Sequence, residues 1–216
     1  MKSINLGLGL ALAGVVAVPA LAQDALSTPR SYGGIEFGLS TLNDSTADTA
    51  AGFVATLGGT ASGTQDTSGS AIRIFGGYHM SQTVSFELGY QQASAISQRM
   101  TGVTSGAQAY TGSASVTTSG LDYSVLLRPG RALQGNGVFL RLGGHYLTAS
   151  GSSTLTGTST VSVSSSVSGS GFLWGAGYDM PLQDKFNIRL EYIGYKTIAG
   201  QAGTADNFSL GVMTKF

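Results

Sequence analysis

Val84-Ser85-Phe86-Glu87-Leu88-Gly89-Tyr90-Gln91 alternates strictly: Val84, Phe86, Leu88 and Tyr90 fall in one phase, and Ser85, Glu87, Gly89 and Gln91 in the other. Period two is strand geometry, because successive side chains leave opposite faces of the pleat; a helical stripe would repeat every three to four residues. Working outward, the pattern recurs. Ile35, Phe37 and Leu39 oppose Glu36, Gly38 and Ser40; Ile72, Ile74 and Tyr78 oppose Arg73, Gly77 and His79. Leu121, Tyr123, Val125 and Leu127 oppose Asp122, Ser124 and Arg128; Val138, Leu140, Leu142 and Tyr146 oppose Arg141, Gly143 and His145. Phe172, Trp174, Ala176 and Tyr178 oppose Gly175 and Gly177; Phe186, Ile188, Leu190 and Tyr192 oppose Asn187, Arg189 and Glu191. Phe208, Leu210, Val212 and Phe216 oppose Asn207, Ser209, Gly211 and Lys215, which completes eight segments.

Two sheet architectures have such unlike faces. A soluble sandwich or lipocalin-type barrel turns the apolar face inward. A barrel in an outer membrane turns it toward lipid and keeps a polar interior. Composition favours the second. Only 10% of the 216 residues are charged, against about 25% in an ordinary soluble domain, while mean hydropathy is +0.17. The polar phases carry glycine, serine and opposite charges rather than a Lys/Glu coat. Tyr78, Tyr90, Tyr146, Trp174, Tyr178, Tyr192 and Phe216 lie on the apolar phase, where interfacial aromatics are expected. Connections also alternate, with short ones near 79–83, 129–137 and 179–185, and long ones near 43–70, 96–118, 148–171 and 194–205.

An even count of eight is the smallest closure that satisfies every backbone N–H and C=O inside hydrocarbon. The reading is therefore all-β: an eight-stranded antiparallel up-and-down transmembrane β-barrel with both termini on the short-turn side. Its outer surface would contact outer-membrane lipid and lipopolysaccharide. Residues 151–171 carry no charge, yet they alternate internally (Thr160-Val161-Ser162-Val163-Ser164), which points to a projecting hairpin rather than to a floppy loop.

Residues 1–22 read as a signal peptide: Lys2 is the basic start, 6–18 the apolar run, and Ala20-Leu21-Ala22 the small-x-small cleavage site. The run is too short for a transmembrane helix, so the barrel is assigned to residues 23–216 and the chain to export into the outer membrane. With 11 basic and 11 acidic residues and no basic cluster, the chain has no footprint for nucleic acid. Without cysteine it has neither disulfides nor a Cys-based zinc site.

Phe75-Gly76-Gly77-Tyr78, Phe86-Glu87-Leu88-Gly89-Tyr90, Arg141-Leu142-Gly143-Gly144, Arg189-Leu190-Glu191-Tyr192 and Leu210-Gly211-Val212 with terminal Phe216 occur in order and at strand spacing. Together they resemble the OmpA-type eight-stranded outer-membrane barrel across nearly the whole mature chain. The resemblance implies an interior Glu/Arg pair at Glu87 and Arg189. It also implies recognition of a C-terminal strand ending in Phe216 by the outer-membrane assembly machinery, although Thr214 stands where the family usually has an aromatic. It covers the transmembrane barrel only, so no peptidoglycan tethering is implied.

Strand phase puts Glu36, Arg73, Glu87, Asp122, Arg128, Arg141, Arg189, Glu191 and Lys215 inside. Buried charges persist when paired. Such a set either plugs and braces the narrow barrel or gates an ion path by exchanging partners. An enzyme of the lipid A-modifying kind would need a histidine with a serine and an acid nearby. His145 has Leu147 where a same-face serine would sit, and His79 shows no acidic partner. No catalytic residue, metal ligand set or cofactor site is assigned; Asp44, Asp48 and Asp66 are too scattered. The functional expectation is an envelope barrel with a salt-bridged lumen and at most weak permeation. The alternative is a surface-interaction barrel acting through its Ser/Thr/Gly-rich loops, whose ligands the sequence does not name; a lipid A-modifying outer-membrane enzyme stays as the minor alternative.

Overall fold

A computed structural model describes residues 31–43, 60–66, 68–129, 136–183, 185–200 and 203–216. The expected signal peptide, Asp44 and Asp48 lie outside the described residues. The described residues form nine strands: β1 (Ser31–Asn43), β2 (Thr60–Asp66), β3 (Ser68–His79), β4 (Val84–Val103), β5 (Ala109–Leu127), β6 (Gly137–Thr156), β7 (Thr160–Pro181), β8 (Phe186–Lys196) and β9 (Thr204–Lys215). Neighbours pair antiparallel, and β1 pairs with both β3 and β9, so eight strands close a ring. The ninth, β2, continues the line of β3 alongside the distal part of β4, where Thr60 pairs with Val103 and Asp66 with Ser97. Among the described residues no helix is long and apolar enough to cross a membrane; crossing falls to strands.

The alternation orients the ring as expected. Phe37, Leu39, Ile74, Leu88, Leu121, Tyr123, Phe208 and Leu210 stand outward and exposed, while Glu36, Arg73, Glu87, Asp122 and Ser209 are buried within. Full pairing around the ring leaves no open strand edge at this level, which is the condition hydrocarbon imposes.

The ring has two heights. Pairing among β1, β8 and β9 ends near Asn43, Lys196 and Thr204, whereas β4 to β7 run on to turns at 104–108 and 157–159. Segments 96–118 and 148–171, read as long connections, are thus mostly paired strand. For the second the internal alternation had pointed to this hairpin. For the first it had not, because a bulge at Ala93/Ile96 shifts the register there. Below the bulge the inward residues of β4 are odd-numbered; above it Met100 takes the buried side. A single inserted residue reverses strand phase, and a fixed-period reading loses the strand at that point. Ser94 braces the site, receiving the Ser70 backbone N–H at 3.0 Å and meeting the Ser70 hydroxyl at 2.9 Å.

Beyond the ring the tall sheet carries hydroxyls on its outer face. Ser115 meets Ser152 at 2.9 Å, Thr148 meets Ser168 at 2.8 Å, and Thr154 meets Ser162 at 3.2 Å across neighbouring strands. Val161, Val163 and Val167 occupy the opposite phase of β7 and stay exposed.

A sealed, charge-paired lumen

All nine predicted lumen charges lie inside the ring and are buried. Glu87 is the hub. It accepts hydrogen bonds from Arg73 Nη2 at 2.9 Å, from Arg189 Nη1 at 2.7 Å, from Arg141 Nη2, and from the Tyr32 hydroxyl at 3.2 Å. The Glu87–Arg189 contact implied by the resemblance is therefore present, but as one of three arginine contacts beside the Tyr32 hydroxyl. Arg73 also forks onto Asp122 at 2.7 and 2.9 Å, and Arg141 onto Glu191 while donating to Ser124 at 2.6 Å. Planar guanidinium forks suit this duty, since each can serve two carboxylates at once. Glu36 is held more loosely, with Arg73 at 3.4 Å and Arg189 at 3.8 Å.

Sequence alone places Asp179 at the start of a short connection. It instead lies near the end of β7, fully buried, and joins the network. It accepts from Arg189 at 2.7 and 3.0 Å and from Arg128 at 3.0 Å. The lumen thus holds five acids against five bases among the described residues, where strand phase alone had given four against five. Lys215 sits below, donating to Asn136 Oδ1 at 2.9 Å; Asn187 donates to the same oxygen at 2.7 Å.

The interior is less polar than expected. Tyr32, Phe75, Leu126, Phe139 and Met213 also point inward and are buried. Aromatic faces supply the rest of the guanidinium environment: Arg189 lies 4.6 Å from the Phe75 ring centroid and 4.8 Å from that of Phe139. Glycines opposite these side chains make the room. A Cβ on Gly177 would come within 2.4 Å of the Phe139 ring, and one on Gly89 within 2.6 Å of the Arg73 guanidinium. Above the charges, Gln91 and Asn207 bond at 3.1 Å. Leu147, Leu173, Ile193 and Tyr195 then close the bore, topped by the short turn Ile198–Gly200. Charges, aromatics and this lid form successive layers across one narrow channel.

Both histidines are accounted for. His145 Nε2 donates to the Lys196 carbonyl at 2.9 Å, and the ring stacks edge-on with Tyr195 at 5.4 Å. Leu147 shares its face, as the spacing indicates. His79 does meet a serine, which sequence distance had hidden: its Nδ1 lies 2.7 Å from Ser85 Oγ, because the two are cross-strand partners. Ser85 is wholly buried and also receives Arg128 Nη1 at 2.6 Å. A nucleophile needs a path for its substrate, and this hydroxyl has none. Among the described residues no group of histidines and carboxylates could hold a metal.

The seven aromatics assigned to the interfaces all point away from the lumen, with Phe216 the most exposed at 70%. Tyr192 donates its hydroxyl to Asp206 at 2.7 Å. Trp174 packs edge-on against Tyr192 at 5.4 Å.

The sequence model described as the outer membrane protein beta-barrel domain matches residues 8–216. Among solved structures, the chain is similar to the attachment invasion locus protein Ail of Yersinia pestis, with 12% identity, 87% of this chain and 99% of that one covered, and a TM-score of 0.46. It is also similar to Neisserial surface protein A, with 14% identity, 86% and 97% coverage and a TM-score of 0.40. For the N-terminal β-barrel domain of Pseudomonas aeruginosa OprF the values are 14% identity, 87% and 98% coverage, and 0.38. No curated protein sequence matches.

Proposed function

The chain belongs to the outer-membrane protein β-barrel family, and from that premise we propose that it is a closed envelope barrel, a membrane-anchored platform rather than a pore. The observation that carries this is the lumen: nine buried charges joined in one ion-pair network, Lys215 hydrogen-bonded to Asn136 below them, and an apolar lid beyond the Gln91–Asn207 layer above. An ion entering would have to break several charge-assisted hydrogen bonds at once and then cross hydrocarbon side chains. Desolvated pairs with good geometry are costly to separate, so the network acts as a brace. Planar-bilayer recording of the refolded protein tests this: flat current traces are expected, and discrete openings in wild type would overturn it.

A surface-contact role is the second reading, favoured by the height of β4 to β7. Strands of 20, 19, 20 and 22 residues far exceed the roughly 9–11 needed to cross, and the surplus is ordered sheet rather than slack chain. The two roles are compatible, since a rigid plugged ring is a stable base for a projecting sheet. Replacing 150–166 by a short turn is expected to leave heat-modifiable electrophoretic mobility intact while removing any surface contact. The signal peptide over 1–22 and recognition of β9 with Phe216 by the assembly machinery belong to the same reading. They are supported by the exported family and by the outward, exposed Phe216 side chain.

A further inference from the structure

The tall sheet ends in an undefended edge. Residues 160–171 of β7 pair with β6 on one side, but β8 joins only from Phe172 onward. Among the described residues nothing pairs with the other side of 160–168, so a row of backbone N–H and C=O groups is left open as far as Gly169, where the turn Ile198–Gly200 packs against β7. Natural sheets blunt such edges with lysine, proline, bulges or inward charges. Here 160–170 contains no charged residue and no proline, and the β6–β7 register is unbroken. Val161 and Val163 are 53% and 60% exposed beside it.

The edge also complements itself. Turned antiparallel about Ser165, the stretch sets Val163 against Val167, Ser164 against Ser166 and Ser162 against Ser168. Val163 and Val167 stay on one face with Ser165 between them, and Ser162, Ser164, Ser166 and Ser168 stay on the other, because an even register sum preserves strand phase. Residues 162–168 read the same in both directions, so a second copy meets like with like, and no like charges are brought together.

Orientation then selects the partner's location. Two copies in one membrane are related by rotation about the membrane normal. That rotation runs their β7 strands in the same sense and turns the hydroxyl face of one copy beside the valine face of the other. Copies on opposed membranes are related by an axis lying in the membrane plane and normal to the sheet. That axis runs the strands antiparallel and keeps like faces together. We propose that residues 160–168 of β7 pair antiparallel with the same edge of a second copy on a facing membrane, joining two projecting sheets into one and tethering the surfaces. A single ladder is weak, but facing membranes present many copies, so that contacts add by avidity. The proposal rests on the platform reading, since it needs β7 to stand clear of the bilayer.

The test uses the full chain reconstituted in phosphatidylcholine vesicles, with clustering followed by light scattering. Wild-type vesicles are expected to cluster. Vesicles carrying Ser164→Lys alone or Ser166→Glu alone should cluster at least roughly ten-fold more slowly, because a new charge guards the edge. Mixing the two variant populations should restore clustering, since each new side chain faces the opposite charge across the junction. Dispersed wild-type vesicles, unaffected single variants, or no recovery on mixing would each overturn the pairing. So would association confined to copies within one vesicle, read by energy transfer between labelled molecules. Heat-modifiable mobility separates the two ideas: its retention with no clustering sinks the tether alone, and its absence from wild type sinks the barrel platform with it.

Discussion

Removing the carboxylate of Glu87 should damage the barrel more than any other single lumen truncation. Glu87→Ala withdraws the acceptor shared by Arg73, Arg141 and Arg189 and leaves the Tyr32 hydroxyl unpartnered. Five bases would then face four acids in a space closed to water. Breaking one side of a buried ion pair typically costs about 3–5 kcal/mol, because the surviving charge stays buried without compensation. The upper end applies here, although Arg73, Arg141 and Arg189 keep Asp122, Glu191 and Asp179 respectively. Glu36→Ala is the internal control. Its nearest base is 3.4 Å away and its Oε1 makes no hydrogen bond, so the loss should be about 1 kcal/mol. Urea unfolding in lipid vesicles reads both, using emission of the sole tryptophan, Trp174, which faces outward. Equal midpoints for the two variants would refute the hub assignment and with it the brace.

Two further outcomes follow from the same geometry. Leu210→Arg places a cation on the outward phase midway along β9, between Phe37 and Leu190; a loss of about 2–4 kcal/mol is expected in bilayers, and a neutral result would argue that this face does not meet lipid. Gly177→Val should impair folding yield, because its Cβ would sit 2.4 Å from the Phe139 ring, while Gly76→Ala, whose Cβ meets nothing nearer than 3.9 Å, should fold as wild type; side-by-side refolding assays check the contrast.

Alternation made the ring legible because lipid outside and charge inside impose opposite chemistry on successive residues, as in Phe86-Glu87-Leu88. It failed where both phases are apolar. In Val138-Phe139-Leu140 and Phe172-Leu173-Trp174 the middle residue faces the lumen, and no contrast in chemistry announces it. Phe139 is recoverable only in three dimensions, from the guanidinium it underlies and the glycine it displaces. Asp179 was missed for a different reason. Asp-Met-Pro reads as turn chemistry, yet β7 continues to Pro181, and the carboxylate points back at Arg189. His79 and Ser85 are six apart in sequence and adjacent only because a tight turn brings β3 onto β4. The hydroxyl rows of the tall sheet were visible as composition, whereas their alignment depended on register.

The bulge beside Ser94 marks a mechanical boundary with an evolutionary corollary. Below it, a substitution must satisfy bilayer, lumen and closure together; above it, the ladder between neighbouring strands and the open edge of β7. The turn at 157–159 and the strand ends beside it touch no charge in the bore, so that region can drift, lengthen or accept grafted peptides while the base remains unaltered. Selection can therefore rewrite what the tall sheet presents without renegotiating how the molecule is anchored.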